Sequence, residues 1–369
     1  MIKEEQIGHR EALIMLTIML TGKIFLSFPR NLALLGNGAG WIIVLLAGGF
    51  SLIGLYFLHQ VLKRYPEQNI VEIAQTALGK YLGLAAGLVI FLFFLLLTAV
   101  YLRQFAESFI LAILPRTPIS VISGVFLLLL IWAMLQGIEA LSRVAILLGP
   151  YLLTALILIV AFTLPQMHLG NLSPVLGPGV GSILKFSVFE ISSFAELLLL
   201  GIITPLIRKK QERYKVGLYS LVTAVLINTG VVAAVVMIFN YNAARRLMFP
   251  MFQLTRLISF GEFIQRVEAV FVFLWFFWAG IQLGGLFYGA LTSFAQTFKI
   301  KDYRPLVFPL AVIVFTASLL PSSMTQAVEW SGSTYDLPLL GYFYSGMTVG
   351  LPLLLWVAVL IRQWVGGKQ

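Results

Sequence analysis

Three groups of ionisable residues lie inside stretches that are otherwise apolar, and these are the side chains able to do chemistry. The stretch LTGKIFLSFPR (20–30) holds Lys23 directly after Gly22 and ahead of Pro29. The stretch ILKFSVFEISSFAELLLLGIITP (183–205) holds Glu190, the pair Ser192–Ser193, Phe194 and Glu196, then Gly201 and Pro205. A third, YLRQFAESF (101–109), holds Arg103 and Glu107. An unpaired charge at the centre of a bilayer costs about 2.5–3.5 kcal/mol on insertion scales, so each of these charges needs a partner or a function. Glycine lowers helix propensity and proline removes a backbone donor. Helices broken in this way leave free N–H and C=O groups and partial dipole charges facing a cavity. Such a cavity suits a small zwitterion, which needs donors for a carboxylate and acceptors for an ammonium.

The candidate ligand-binding residues are therefore Thr21, Gly22, Lys23, Ser192, Ser193, Phe194 and Glu196, joined by Gln282 from a later apolar stretch. The plainer reading is that Lys23 only neutralises Glu196 or Glu190, and Glu190 is assigned a structural or rim role. Arg103 and Glu107 stand at i, i+4 spacing and can pair on one helix face. They are read as a structural ion pair, as are Glu139 and Arg143.

The elements that must position these residues follow from composition. Of 369 residues, 60% are hydrophobic and 11% are charged, against about 25% charged in soluble domains. This is the composition of an all-α polytopic membrane protein. Cysteine is absent and only three histidines occur (His9, His59, His168), without ligand spacing. No metal site, cofactor or catalytic residue is expected, and the chain does not read as an enzyme. The formal net charge of +10 is concentrated in short loops. It points to anionic lipid headgroups and not to nucleic acid. The first residues, MIKEEQIGHREALIML, lack a small-residue cleavage site, so the first apolar run is expected to be retained.

Apolar runs long enough to cross a bilayer lie at about 11–35, 40–62, 82–113, 119–136, 144–165, 182–206, 215–240, 267–297, 305–321 and 338–362. The expectation is ten transmembrane helices in a single domain spanning 1–369. Sixteen of the 25 Lys and Arg residues fall on one side of the alternating loops, and five (Arg116, Arg245, Arg246, Arg256 and Arg266) on the other. The positive-inside rule then puts both termini in the cytoplasm. Ten spans divide into two sets of five, which must insert in opposite orientations. That is the arithmetic of inverted repeats, here about 11–165 and 182–362, with helices 1 and 6 broken near the midplane.

Two other segments carry signals. Span 8 mixes bulky aromatics, read as lipid-facing, with Gly280, Gly284, Gly285 and Gly289, whose spacing permits close helix packing; Gln282 and Tyr288 are its polar groups of interest. The segment 241–266 is too polar to cross. It suits an interfacial helix, or else an outer lid or partner-docking surface.

LRQFAESFILAILPRTPI (102–119), followed by GIEALSR (137–143), resembles the spore-germination permease family, the B subunits of bacterial nutrient germinant receptors within the amino acid–polyamine–organocation superfamily. The stretch ending in Phe28–Pro29, GNGAGWIIVLLAG (36–48) and FAELLLLGIITP (194–205) resemble the same family in order. The resemblance implies the ten-helix inverted-repeat fold and a membrane receptor that senses a nutrient, often an amino acid, in dormant spores. It also implies partner A and C subunits, the C subunit a lipoprotein, in the spore inner membrane. By motif position Arg103, Glu107, Pro118, Glu139, Arg143 and Glu196 match the family's characteristic positions. One departure stands out: many transporters of the superfamily unwind span 1 at a glycine-x-glycine, where this chain has Gly22 followed by Lys23. Span 5 also lacks the lysine that some proton-coupled relatives carry. The competing expectation is an active Na⁺- or H⁺-coupled amino-acid transporter.

Overall fold

The computed structural model describes residues 6–258, 267–332 and 338–366. Among the described residues there are sixteen α-helices: α1 (His9–Thr21), α2 (Phe28–Gly36), α3 (Gly40–Arg64), α4 (Ile70–Leu78), α5 (Lys80–Ala112), α6 (Ile119–Gln136), α7 (Ile138–Phe162), α8 (Val180–Phe189), α9 (Leu199–Ile203), α10 (Arg213–Ala244), α11 (Pro250–Arg256), α12 (Val267–Thr297), α13 (Val307–Ser318), α14 (Met324–Trp330), α15 (Pro338–Ser345) and α16 (Leu351–Gly366). Extended pairing among the described residues is limited to one parallel bridge, Ile7 with Ile207.

Helices occupy all ten expected runs. Among the described residues, however, eight helical stretches are long and apolar enough to cross a membrane. The difference has a physical cause. The break in the first run leaves α1 with only 13 residues, and the ninth run is helical only over Arg304–Ser318. Side chains such as Leu128, Trp132, Leu147 and Ile157 are more than 60% exposed, and a bilayer is the solvent that accommodates such a surface.

α1 sits at the centre: Met15, Leu16, Ile18 and Met19 are fully buried. Two close approaches let its neighbours surround it. A Cβ on Gly149 of α7 would lie 2.3 Å from Ile14, and one on Gly285 of α12 would lie 2.4 Å from the Met19 sulfur. The small-residue reading of span 8 thus holds for Gly284, Gly285 and Gly289, which face Leu141, Met19 and Phe94. Gly280 meets nothing within 4 Å. The aromatics of that span require a correction. Phe271, Trp275, Trp278 and Phe287 are fully buried, and Phe273 faces outward. Ring-on-ring contacts explain the difference, with Phe25 4.7 Å from Trp278 and Phe109 stacked at 5.1 Å on Trp275.

The segment after α10 also differs from an interfacial helix. The chain kinks at Asn240 (φ 57°), and α11 then buries Met251, Phe252, Leu254 and Thr255. It packs inward against α12 and the break in the first run. Residues 259–266, Arg266 included, lie outside the described residues.

Candidate functional site

Both expected breaks are present, each with an identifiable local cause. In α1 the hydroxyls of Thr17 and Thr21 bond back to Leu13 O (2.8 Å) and Thr17 O (2.7 Å), competing with the helix ladder. The chain then tightens into a 3₁₀ turn, Gly22–Phe25, and becomes extended at Leu26. Pro29 falls in the first turn of α2, where its missing N–H would have had no helical partner in any case. The carbonyls left at the end of α1 are taken up by other helices. Trp278 Nε1 donates to Ile18 O at 2.7 Å and Asn228 Nδ2 to Leu20 O at 3.1 Å.

In the second broken span, α8 ends at Phe189 and a 3₁₀ stretch runs over Glu190–Leu198, with Phe194 off helical geometry (φ −117°, ψ 20°). A run this long is uncommon for 3₁₀ geometry and marks a hinge or a functional position. α9 follows, and Pro205 closes the span.

The two breaks meet. Lys23 Nζ lies 3.3 Å from Glu196 Oε2, and the two side chains are 4% and 1% exposed. The other carboxylate oxygen accepts from the Tyr101 hydroxyl at 3.2 Å and from Gln282 Nε2 at 3.3 Å. The ammonium also lies 5.3 Å from the centre of the Phe194 ring and 5.9 Å from that of Phe28, within cation–π range. One carboxylate and two aromatic faces thus enclose an ammonium, assembled from the two breaks with α5 and α12.

Glu190 is 1% exposed and accepts from Ser193 Oγ at 2.5 Å. Its second oxygen has no hydrogen-bond partner, and neither does Gln282 Oε1. Glu190 is therefore deeply buried, which removes the rim alternative and leaves the structural one. The two breaks thus hold two buried acceptors without a hydrogen-bond partner, Glu190 Oε1 and Gln282 Oε1. Gly22 is fixed by space. A Cβ there would stand 1.9 Å from Gln282 Oε1 and 3.2 Å from Trp278.

Of the residues expected here, Gly22, Lys23, Phe194, Glu196 and Gln282 come together. Thr21 spends its hydroxyl within its own helix. Ser192 turns away to Gly332 O at 3.3 Å, and Ser193 serves Glu190. Tyr101, Phe28 and Trp278 escaped the reading of the sequence. Tyr101 left one signal, a hydroxyl in mid-span, which needs a partner when buried.

Both expected ion pairs form. Arg103 Nε lies 2.9 Å from Glu107 Oε2, and Glu107 Oε1 accepts from the Met324 amide at 3.0 Å, so this pair also holds the N-terminus of α14 to α5. Arg143 and Glu139 pair at 2.5 Å. Tyr288 packs edge-on against Tyr303, ring centres 5.4 Å apart, away from the breaks.

Comparison with known proteins agrees in sequence and in fold. A family profile described as "Spore germination protein" matches residues 6–327. Spore germination protein KB of Bacillus subtilis (strain 168) is 27% identical over 329 residues, 86% of each chain. Spore germination protein A2 of the same organism is 26% identical over 358 residues, 95% of this chain and 94% of that one. Among solved structures, MhsT in complex with L-phenylalanine superposes with a TM-score of 0.65 at 15% identity, covering 97% of this chain and 98% of that chain. A Na⁺-coupled sialic acid symporter superposes with a TM-score of 0.61 at 14% identity, covering 93% and 78%. At these identities the structural likeness concerns the fold.

Proposed function

This chain belongs to the spore germination protein family, and from that membership we propose that it is the membrane subunit of a nutrient germinant receptor. In this reading it binds a small nutrient, an amino acid, at the two facing breaks and signals to partner subunits. The observation that carries it is the Lys23–Glu196 contact, which joins two interrupted spans 173 positions apart in an enclosure built for an ammonium. A zwitterion matches the chemistry. Its ammonium meets the unused oxygens of Glu190 and Gln282, and its carboxylate meets Lys23. The rest of the proposal is ten crossings in one domain as two inverted five-helix repeats, both termini in the cytoplasm, and residence in the spore inner membrane beside the A and C subunits. No enzymatic step and no cofactor is part of it.

The test is equilibrium binding of a labelled amino-acid panel to the purified chain, with Glu196→Gln and Lys23→Met alongside. Binding is expected to fall at least tenfold in each variant, about 1.4 kcal/mol. Unchanged binding in both folded variants removes the site from the helix breaks. A second reading, an active Na⁺- or H⁺-coupled transporter, draws on the fold likeness to a Na⁺-coupled symporter. Uptake into vesicles driven by a Na⁺ or proton gradient separates it from a receptor that binds without transport.

A further inference from the structure

A cavity with a basic lining lies at the end of the bundle where α3 finishes and α10 begins, beyond the interruption of the second broken span. It has a volume of about 130 Å³, roughly ten times the ~10–15 Å³ that admits one water. His59, Lys63, Lys210 and Arg213 line it, with Leu55, Leu62 and Leu200 among its apolar walls.

The charges do not cancel. Lys210 pairs with Glu67 outside the cavity, and Lys215 pairs with Glu212 at 3.1 Å. Among the described residues, neither Lys63 nor Arg213 is in an ion pair. Arg213 is 8% exposed. Its Nη1 donates to Pro66 O at 2.5 Å, and its Nη2 to Pro205 O at 3.2 Å and Ile207 O at 3.3 Å. Its buried Nε has no partner. The guanidinium is held by neutral carbonyls with a donor to spare, an unpaired lysine stands on the same wall, and the nearby carboxylate, Glu67, is already paired with Lys210, so the cavity keeps an excess of positive charge. The His59 ring rests on Tyr214 at 4.5 Å, giving the cavity an aromatic side as well.

We propose that this cavity binds a phosphate group, with an anionic lipid headgroup and free phosphate as its two possible sources. Cationic pockets between helices at a membrane face take phosphate headgroups, and guanidinium recognises phosphate oxygens by directed hydrogen bonds. The apolar wall suits the glycerol and upper acyl chain that follow a lipid phosphate. Leu200 and Thr204, on and just past α9, belong to the inner half of the second broken span. The loop that Arg213 clamps also pairs with Ile7, through Ile7 N to Leu206 O at 2.9 Å and Arg208 N to Ile7 O at 3.1 Å. A bound phosphate therefore ties α3 to the segment that closes this end of the bundle.

The test uses the full chain in neutral phosphatidylcholine nanodiscs, with thermal unfolding and native mass spectrometry as readouts. One arm adds phosphatidylglycerol to the discs and the other titrates inorganic phosphate. Lys63→Gln removes a rim cation without touching the buried Arg213 clamp. Lys215→Gln removes a cation outside the cavity. Either ligand raising the midpoint, with affinity weakened about fivefold by Lys63→Gln and unchanged by Lys215→Gln, supports the site. Which arm responds names the source. A response to neither ligand, or an equal loss in the two variants, overturns the proposal.

Discussion

At the scale of single residues, the site turns on one ammonium and the groups that enclose it. Removing one partner of a buried ion pair leaves an uncompensated charge, at about 3–5 kcal/mol, whereas removing both leaves none. Lys23→Met and Glu196→Gln should therefore each destabilise the fold by about that amount, and the double variant by clearly less than their sum. Chemical denaturation of the four proteins in detergent reads the coupling; additive losses would mean that the pair is not a unit. Gly22→Ala acts through space alone, since its Cβ would stand where Gln282 Oε1 now lies. It should displace Gln282 from Glu196 and weaken ligand binding about tenfold while unfolding little; retained affinity would show that Gln282 plays no part. The charges were legible in the sequence because a lysine or glutamate in an apolar run demands an explanation. Tyr101 and Phe28 were not, because an aromatic in a membrane span faces lipid as readily as a cation. Only the packing of α5 and the crossing of the two breaks decided between these.

At the scale of elements, the two interruptions differ from what their residue types suggest. Pro29 reads as the helix breaker, yet it occupies the first turn of α2, where proline is tolerated. The interruption comes from hydroxyl back-bonding by Thr17 and Thr21 and from carbonyls captured by Trp278 and Asn228. Pro29→Ala should thus cost less than about 1 kcal/mol, the range of the entropy effect alone. Gly54→Ala, far from any break, should cost more, about 1–3 kcal/mol. Its Cβ would stand 2.2 Å from the Thr348 carbonyl, a backbone atom that cannot rotate aside. Thermal unfolding ranks the two, and a larger loss at Pro29 would return the break to the proline. The fate of α11 shows where element-level reading stops. Its mixture of Arg with Met, Phe and Leu is common to surface helices and buried plugs. What separates them is whether Met251 and Leu254 find partners on α12 and the first break, and no local pattern encodes that.

At the scale of the whole molecule, the open question is which ends of the helices share a side, and the absence of cysteine makes it directly testable. α5 is 33 residues long and spans about 50 Å, so Lys80 and Arg116, both exposed at its flanks, must lie on opposite faces. Single variants Lys80→Cys and Arg116→Cys should react differently with a membrane-impermeant maleimide in intact cells. The excess of basic residues on the Lys80 side predicts labelling of Arg116→Cys alone. The harder case is α13, whose apolar stretch Arg304–Ser318 covers only about 22 Å of a hydrocarbon layer about 30 Å thick. Immediately after it, α14 is bonded into the bundle, with Gln104 Nε2 donating to Ala327 O at 3.0 Å and Glu107 receiving the Met324 amide. Those α5 residues lie five and eight positions before its end at Ala112. A short helix can therefore complete a crossing if the chain beyond it is received by α5 below the surface. Lys301→Cys and Ser322→Cys bracket this stretch and are both exposed in the folded chain. Labelling of Ser322→Cys from outside, with Lys301→Cys protected, makes α13 a full crossing and brings the total to ten. Protection of both would make it a re-entrant segment, leave nine crossings in all, and separate the two termini across the membrane.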